Sequence, residues 1–157
     1  MPKIETKLTI NAPIELAFDL SRSIDFHAYT QTLRSEKAVG GVTKGLIELN
    51  QTVTWRARHF GISQYLTARI SEFDRPFHFR DTMEKGAFKR FDHDHFFEID
   101  GDMTIMTDIF DYDTPFSIFG KIFDKLVLYN YMSMFFKNRN NIIKEALESG
   151  AWKDYLK

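Results

Sequence analysis

The sequence contains no cysteine. Disulfides, thiolate zinc sites and a cysteine nucleophile are excluded together. It also carries almost no net charge: 21 Lys and Arg against 22 Asp and Glu leave -1 over 157 residues. Such a balance gives no long-range field to attract nucleic acid or an anionic membrane, so no nucleic-acid partner is expected. No uncharged apolar run is long enough to span a bilayer. The nearest candidate, residues 116–136, is interrupted by Lys121, Asp124 and Lys125. The opening Met1-Pro2-Lys3-Ile4-Glu5 has no apolar signal segment. The expectation is a soluble cytoplasmic protein, monomer or homodimer, with no integral membrane segment. A Gly-x-Ser-x-Gly elbow and a Gly-rich phosphate loop are absent too, which leaves nucleophilic catalysis without support.

What is present is ordinary in balance and unusual in one respect. Hydrophobic residues make up 43% and charged residues 27%, as in a globular chain, and the length fits one domain over 1–157. Sixteen residues are Phe. Those rings carry large buried areas and need no polar partner, so they line a core, a cavity or an interface.

The periodicity changes along the chain. Ile4, Thr6, Leu8 and Ile10 alternate with Lys3, Glu5, Lys7 and Thr9, the period of a half-buried strand. Asn11-Ala12-Pro13 breaks it and opens a short helix, with Asn11 as N-cap, and Ser23 caps a second one over 24–29. From Gly40 to Tyr112 the pattern is of strands joined by hairpins, with turns at His59-Phe60-Gly61, Asp74-Arg75-Pro76, Lys85-Gly86-Ala87 and Asp100-Gly101. After Thr114-Pro115 the apolar spacing becomes helical through Leu147 and stops at Ser149-Gly150, with a bend allowed at Gly120. A curved antiparallel sheet of six to seven strands has one apolar face, and only one long helix is available to cover it. The fold class is therefore α+β, a helix-grip arrangement with two short helices and a long C-terminal helix over the concave face.

Three segments carry a resemblance to the START-like superfamily, also called SRPBCC or polyketide-cyclase-like. "IETKLTINAPIELAFDLSRSIDFH" looks like its first strand and V-shaped helix pair. "TWRARHFGISQYLTARISEFDRPFHFRDTMEKGAFKRFDHDHFFE" resembles a bacterial subgroup described as ligand-binding. "PFSIFGKIFDKLVLYNYMSMFFKNRNNIIKEAL" looks like the covering helix. The resemblance implies a single ligand-binding domain. It does not choose among polyketide cyclases, lipid carriers, hormone-binding proteins and chaperone activators.

Hairpin geometry nominates the concave face. A two-residue Asp100-Gly101 turn pairs Ile99 with Asp102, which sets His93 opposite Asp108, His95 opposite Met106 and Phe91 opposite Phe110. Phe79 and Asp81 share that face, as do Trp55 and Leu66 from the earlier hairpin. The long helix contributes Phe123, Tyr131 and Phe135. Buried charge among these residues needs partners, and a His93–Asp108 pair would supply them. Three readings follow: a satisfied network that fixes register, groups that orient the polar end of an apolar ligand, or an acid/base set. His-x-His places two imidazoles on one face, and Asp81 or Asp108 could add oxygen ligands, but the spacing falls short of a metal signature and Phe residues crowd the face. No metal or cofactor is expected. The favoured function is a non-catalytic carrier or sensor for a hydrophobic small molecule: a lipid, isoprenoid or aromatic metabolite. The alternatives are an aromatic cyclase or dehydratase using a cavity His–Asp pair, or a protein or membrane interaction module.

Overall fold

The structure, a computed structural model, describes residues 2–157. Seven strands form one antiparallel sheet: β1 (Lys3–Ile10), β2 (Lys37–Gly41), β3 (Thr52–His59), β4 (Ile62–Asp74), β5 (His78–Lys85), β6 (Arg90–Asp100) and β7 (Met103–Asp113). Their spatial order is β1-β7-β6-β5-β4-β3-β2, so the chain begins at one edge and crosses to the other through α1 (Ile14–Ser21) and α2 (Ile24–Thr30). Register slips between Thr67 and Ala68, and between Ile70 and Glu72, bend the β4–β5 pair, as bulges do. The bent sheet is concave toward a helical stretch running from Ser117 to Ser149. This stretch comprises α3 (Ser117–Phe123), a π-helical turn (Asp124–Leu128) and α4 (Tyr129–Ser149). Among the described residues, no helix is long and apolar enough to cross a membrane.

Local chemistry explains the joints. Ser23 accepts the Phe26 N–H at 3.2 Å and caps α2. The cap of α1 is Pro13 rather than Asn11, and no side chain bonds there, so the helix relies on the fixed φ of proline. Phe60 and Gly61 both have positive φ (52° and 75°), the two-residue turn whose twist matches its strands. At Gly150 the backbone is left-handed (φ 85°) and ends α4. A single 3₁₀ turn at Ala151–Asp154 then brings Tyr155 edge-on against Phe26, with ring centroids 5.0 Å apart.

The β6–β7 turn is Gly101-Asp102, one residue later than the sequence reading placed it, because Asp100 pairs with Met103. Gly101, at φ 60°, takes the first central position, where glycine is favoured. Moving the turn by one residue shifts every partner by two. His95 therefore faces Asp108, His93 faces Phe110, Phe91 faces Tyr112, and Phe97 faces Met106. A shift of two preserves the alternation, so the residues nominated for the concave face remain on it.

The buried apolar residues form two groups. One fills the space under α1 and the C-terminal half of α4, around Phe18, Phe79, Phe97, Met106 and Ile143. The other, around Phe91, Phe110, Tyr112, Phe135 and Phe136, lies under the N-terminal half of α4. No residue of α1 or α2 belongs to that second group.

Candidate functional site

Beside that second group lies a cavity of about 690 Å³. Its walls are Trp55, Leu66 and Ala68 from β3 and β4, Phe91 and Phe110 from β6 and β7, and Tyr131, Met132, Phe135 and Phe136 from α4. Phe123 and the exposed side chains of Phe116 (81%) and Phe119 (82%) frame its opening. Gly120 lets the segment lie close: a Cβ there would stand 1.9 Å from the Pro115 carbonyl oxygen. The Tyr112 hydroxyl donates to Asp124 in the π turn, which ties the opening to β7. Burial, followed by that carboxylate, raises the Tyr112 pKa and keeps the phenol protonated. Among the polar residues of the outer wall, Tyr131 receives the Arg34 Nε–H at 3.1 Å and lies 2.8 Å from His59 Nδ1.

The inner end is polar. Asp81 projects from β5 and His93 from β6, and both line the cavity. A smaller space of about 80 Å³ adjoins them and is bounded also by Phe79, His95 and Arg139. His95 Nδ1 lies 2.8 Å from Asp108 Oδ1, its direct cross-strand partner, and Nε2 lies 2.9 Å from Asp81 Oδ2, its diagonal one. Both partners are carboxylates, which only accept when ionised, so His95 donates from both nitrogens as an imidazolium. Burial works against that charge, but Asp108 and then Asp81 outweigh it and raise the His95 pKa. Asp108 is itself opposed by burial, yet His95 and Arg139 hold its carboxyl well below the ordinary range. Burial likewise opposes Asp81, whose pKa is nevertheless lowered, and the His95 imidazolium that donates to it at 2.9 Å keeps it ionised.

Arg139 of α4 closes the network, donating to Asp108 Oδ2 at 3.3 Å and to the Ser21 carbonyl at 3.4 Å. Its neighbour Asn140 donates to Thr6 Oγ1 at 2.7 Å. Two carboxylates, one imidazolium and one guanidinium sum to zero, the condition under which such a group survives burial. His93 stands apart. Its Nδ1 is 3.7 Å from Asp81 Oδ2, outside hydrogen-bond reach, and the buried Nε2 has no partner among the described residues. Burial, then the positive charge on His95, lower its pKa to about 3, so the ring is neutral.

Of the residues nominated from sequence, Trp55, Leu66, Asp81, Phe91, His93, Phe110, Phe123, Tyr131 and Phe135 line the main cavity. Phe79 and His95 border only the adjoining space. Asp108 lies behind His95 and reaches neither. The expected His93–Asp108 pair is replaced by His95–Asp108 because of the two-residue register difference. Met106 belongs to the filled core, fully buried, with its sulfur 3.7 Å from Ser21 Oγ. Sequence reasoning missed Arg139. The signal was available: it follows Phe135 by four residues, the spacing that keeps two side chains on one helical face. Among those given no place in the cavity were Phe88 and His59, the latter assigned to a turn.

The geometry can be set beside known proteins. No family model matches the sequence, and no curated protein does. Solved structures do match in shape. TTHA0849 from Thermus thermophilus superposes with a TM-score of 0.77 at 18% identity, covering 95% of this chain and 99% of that one. Ginseng major latex-like protein 151 from Panax ginseng gives 0.68 at 12% identity, covering 93% and 97%. A START superfamily protein from Mycobacterium smegmatis gives 0.64 at 12% identity, covering 94% and 97%. At these identities the likeness concerns architecture alone, and it spans nearly the whole chain: the protein has the START-like helix-grip fold.

Proposed function

We propose that the protein binds a hydrophobic small molecule between the sheet and α4, as a carrier or sensor. The observation that carries this reading is the hollow itself, about 690 Å³ with mostly aromatic and aliphatic walls. Small-molecule sites have that size and that balance of apolar wall to a few fixed polar groups. Asp81 and His93 stand at the inner end, where they would meet the polar end of a lipid, isoprenoid or aromatic metabolite. A ginseng major latex-like protein and a START superfamily protein of Mycobacterium smegmatis share the fold that encloses this hollow.

Were the cavity to run acid/base chemistry instead, His93 would have to do it, since both nitrogens of His95 are committed to carboxylates. His93→Ala separates the two readings: a carrier loses affinity modestly, an enzyme loses about a hundredfold or more in rate. The primary test is native mass spectrometry of protein purified without detergent. A co-purifying mass released on denaturation supports the reading. Protein that retains neither host lipids nor an environment-sensitive dye overturns it.

A further inference from the structure

The polar end of the cavity has the composition of a metal centre. Asp81, His93 and His95 each offer one donor atom, and the three lie within 4.8 Å of one another. Asp81 Oδ2 is 2.9 Å from His95 Nε2 and 3.7 Å from His93 Nδ1. Donor atoms held about 2.0–2.1 Å from one ion stand about 3.0 Å apart in an octahedral face and about 3.3 Å apart in a tetrahedron. The two separations from Asp81 bracket both figures, and the third pair, His93 to His95, lies within 4.8 Å, so His93 would turn toward its two neighbours to close the shell. We propose that Asp81, His93 and His95 bind a divalent transition-metal ion of the zinc or ferrous class, with its remaining coordination positions open to the apolar cavity.

Three further observations point the same way. His93 is buried, only 6% exposed, and its Nδ1, 3.7 Å from Asp81, makes no hydrogen bond among the described residues, so that nitrogen is not committed to another partner. His95 is oriented through its other nitrogen by Asp108 at 2.8 Å, and Asp108 in turn by Arg139 at 3.3 Å. That carboxylate behind the imidazole fixes the ring and raises its basicity, as at established metal sites. Asp81 keeps 22% of its side-chain surface exposed and lines the cavity with His93, so an ion has a way in. Two imidazoles with one carboxylate suit zinc or ferrous iron, whereas magnesium and calcium prefer oxygen ligands throughout.

The ion would take the place of the proton between His95 and Asp81, which leaves to solvent. The group would then carry one net positive charge, since Arg139 remains opposite two carboxylates. That surplus favours an anionic oxygen in an open position: water as hydroxide, or the carboxylate or phenolate of a bound apolar molecule. This last point rests on the binding role proposed for the cavity, whereas the ion itself does not.

The test is to strip the full-length protein with chelator, load it with Zn²⁺ or Co²⁺, and dialyse. One equivalent should remain, and the Co²⁺ form should show the visible absorption of a four- or five-coordinate ion. Asp108→Asn should weaken the affinity by about 10–100-fold, and His93→Ala and Asp81→Asn by at least as much. His78→Gln, on the outer face of the sheet beside Asp94, should bind as the parent does, even if the inner variants fail to fold. Wild type that holds no metal overturns the proposal. So does binding that survives His93→Ala, or that disappears in His78→Gln. None of these outcomes depends on whether an organic ligand enters the cavity.

Discussion

The two ends of the sheet receive the same long helix and have opposite fates. At one end α1 lies alongside α4, and Phe18 meets Phe73 and Phe79 edge-on, each pair of centroids 5.3 Å apart. Every apolar side chain there finds a partner. At the other end α1 and α2 contribute nothing to the buried group and α3 reaches only the opening, and one helix about 10 Å across cannot fill a wide concave surface. The Phe side chains at that end line a wall around empty space. The Asp81–His95–Asp108–Arg139 group sits at the division, with Arg139 touching Ser21 of the filled end and His93 looking into the hollow one. The difference teaches that hollowness here follows from what is laid over each half and not from a shortage of rings, since each buried group holds five aromatics.

The comparison can be broken most directly by truncating one ring at each end. Phe18→Ala should cost about 3–5 kcal/mol in urea denaturation, because it opens a closed void. Phe135→Ala borders space that already exists and should cost about 2 kcal/mol, roughly the transfer value. Equal costs would mean the two ends do not differ as described.

Removing the divider comes next. Asp108→Asn leaves Arg139 and His95 short of a buried counter-charge and should cost about 3 kcal/mol. It should also loosen α4 against β1, visible as faster amide exchange near Asn140. An unchanged exchange pattern would show that the two ends do not communicate through it.

On the outer face of β6, opposite His93 and His95, Asp94 accepts from Arg80 at 2.8 and 2.9 Å and lies 2.8 Å from His78. Burial opposes its ionisation, but Arg80 and then His78 outweigh burial and lower its pKa below 3.8. A depressed folded-state value adds stability above the unfolded value that is lost as the pH falls through the folded one. Asp94→Asn should therefore cost about 2 kcal/mol at neutral pH, a penalty that vanishes toward strongly acidic pH. Cavity binding should be untouched. A binding defect would mean the two faces are coupled through the strand.

The smallest expected effect comes from filling the hollow. Ala68→Leu places three more carbons against the cavity wall and should change stability by about 1 kcal/mol or less, while weakening dye binding severalfold. The same enlargement at Ala17 in the filled end should be plainly destabilising.

How legible all this was in the sequence depends on what period can report. Alternation identified the concave face of β6 correctly, since a two-residue register error leaves parity intact. It could not report position along the strand, so Met106 was grouped with Phe110 although the two serve opposite ends. Strand β2, with two glycines in five residues, has too little side chain to show a period. Arg139 was passed over because a charged residue on an amphipathic helix usually faces water. Only the tertiary placement of Asp108 makes it an inward residue.

The π-helical turn at Asp124–Leu128 carries one residue more than an α-helical turn would. Deleting a single residue there would restore regular winding and rotate everything before it by about 100° about the helix axis. Phe119 and Phe123 would swing away from the opening, and Ile118 and Ile122 would take over part of the rim. The doorway is thus set by helical phase, and a one-codon deletion could refit it while the sheet and its buried charges stay in place.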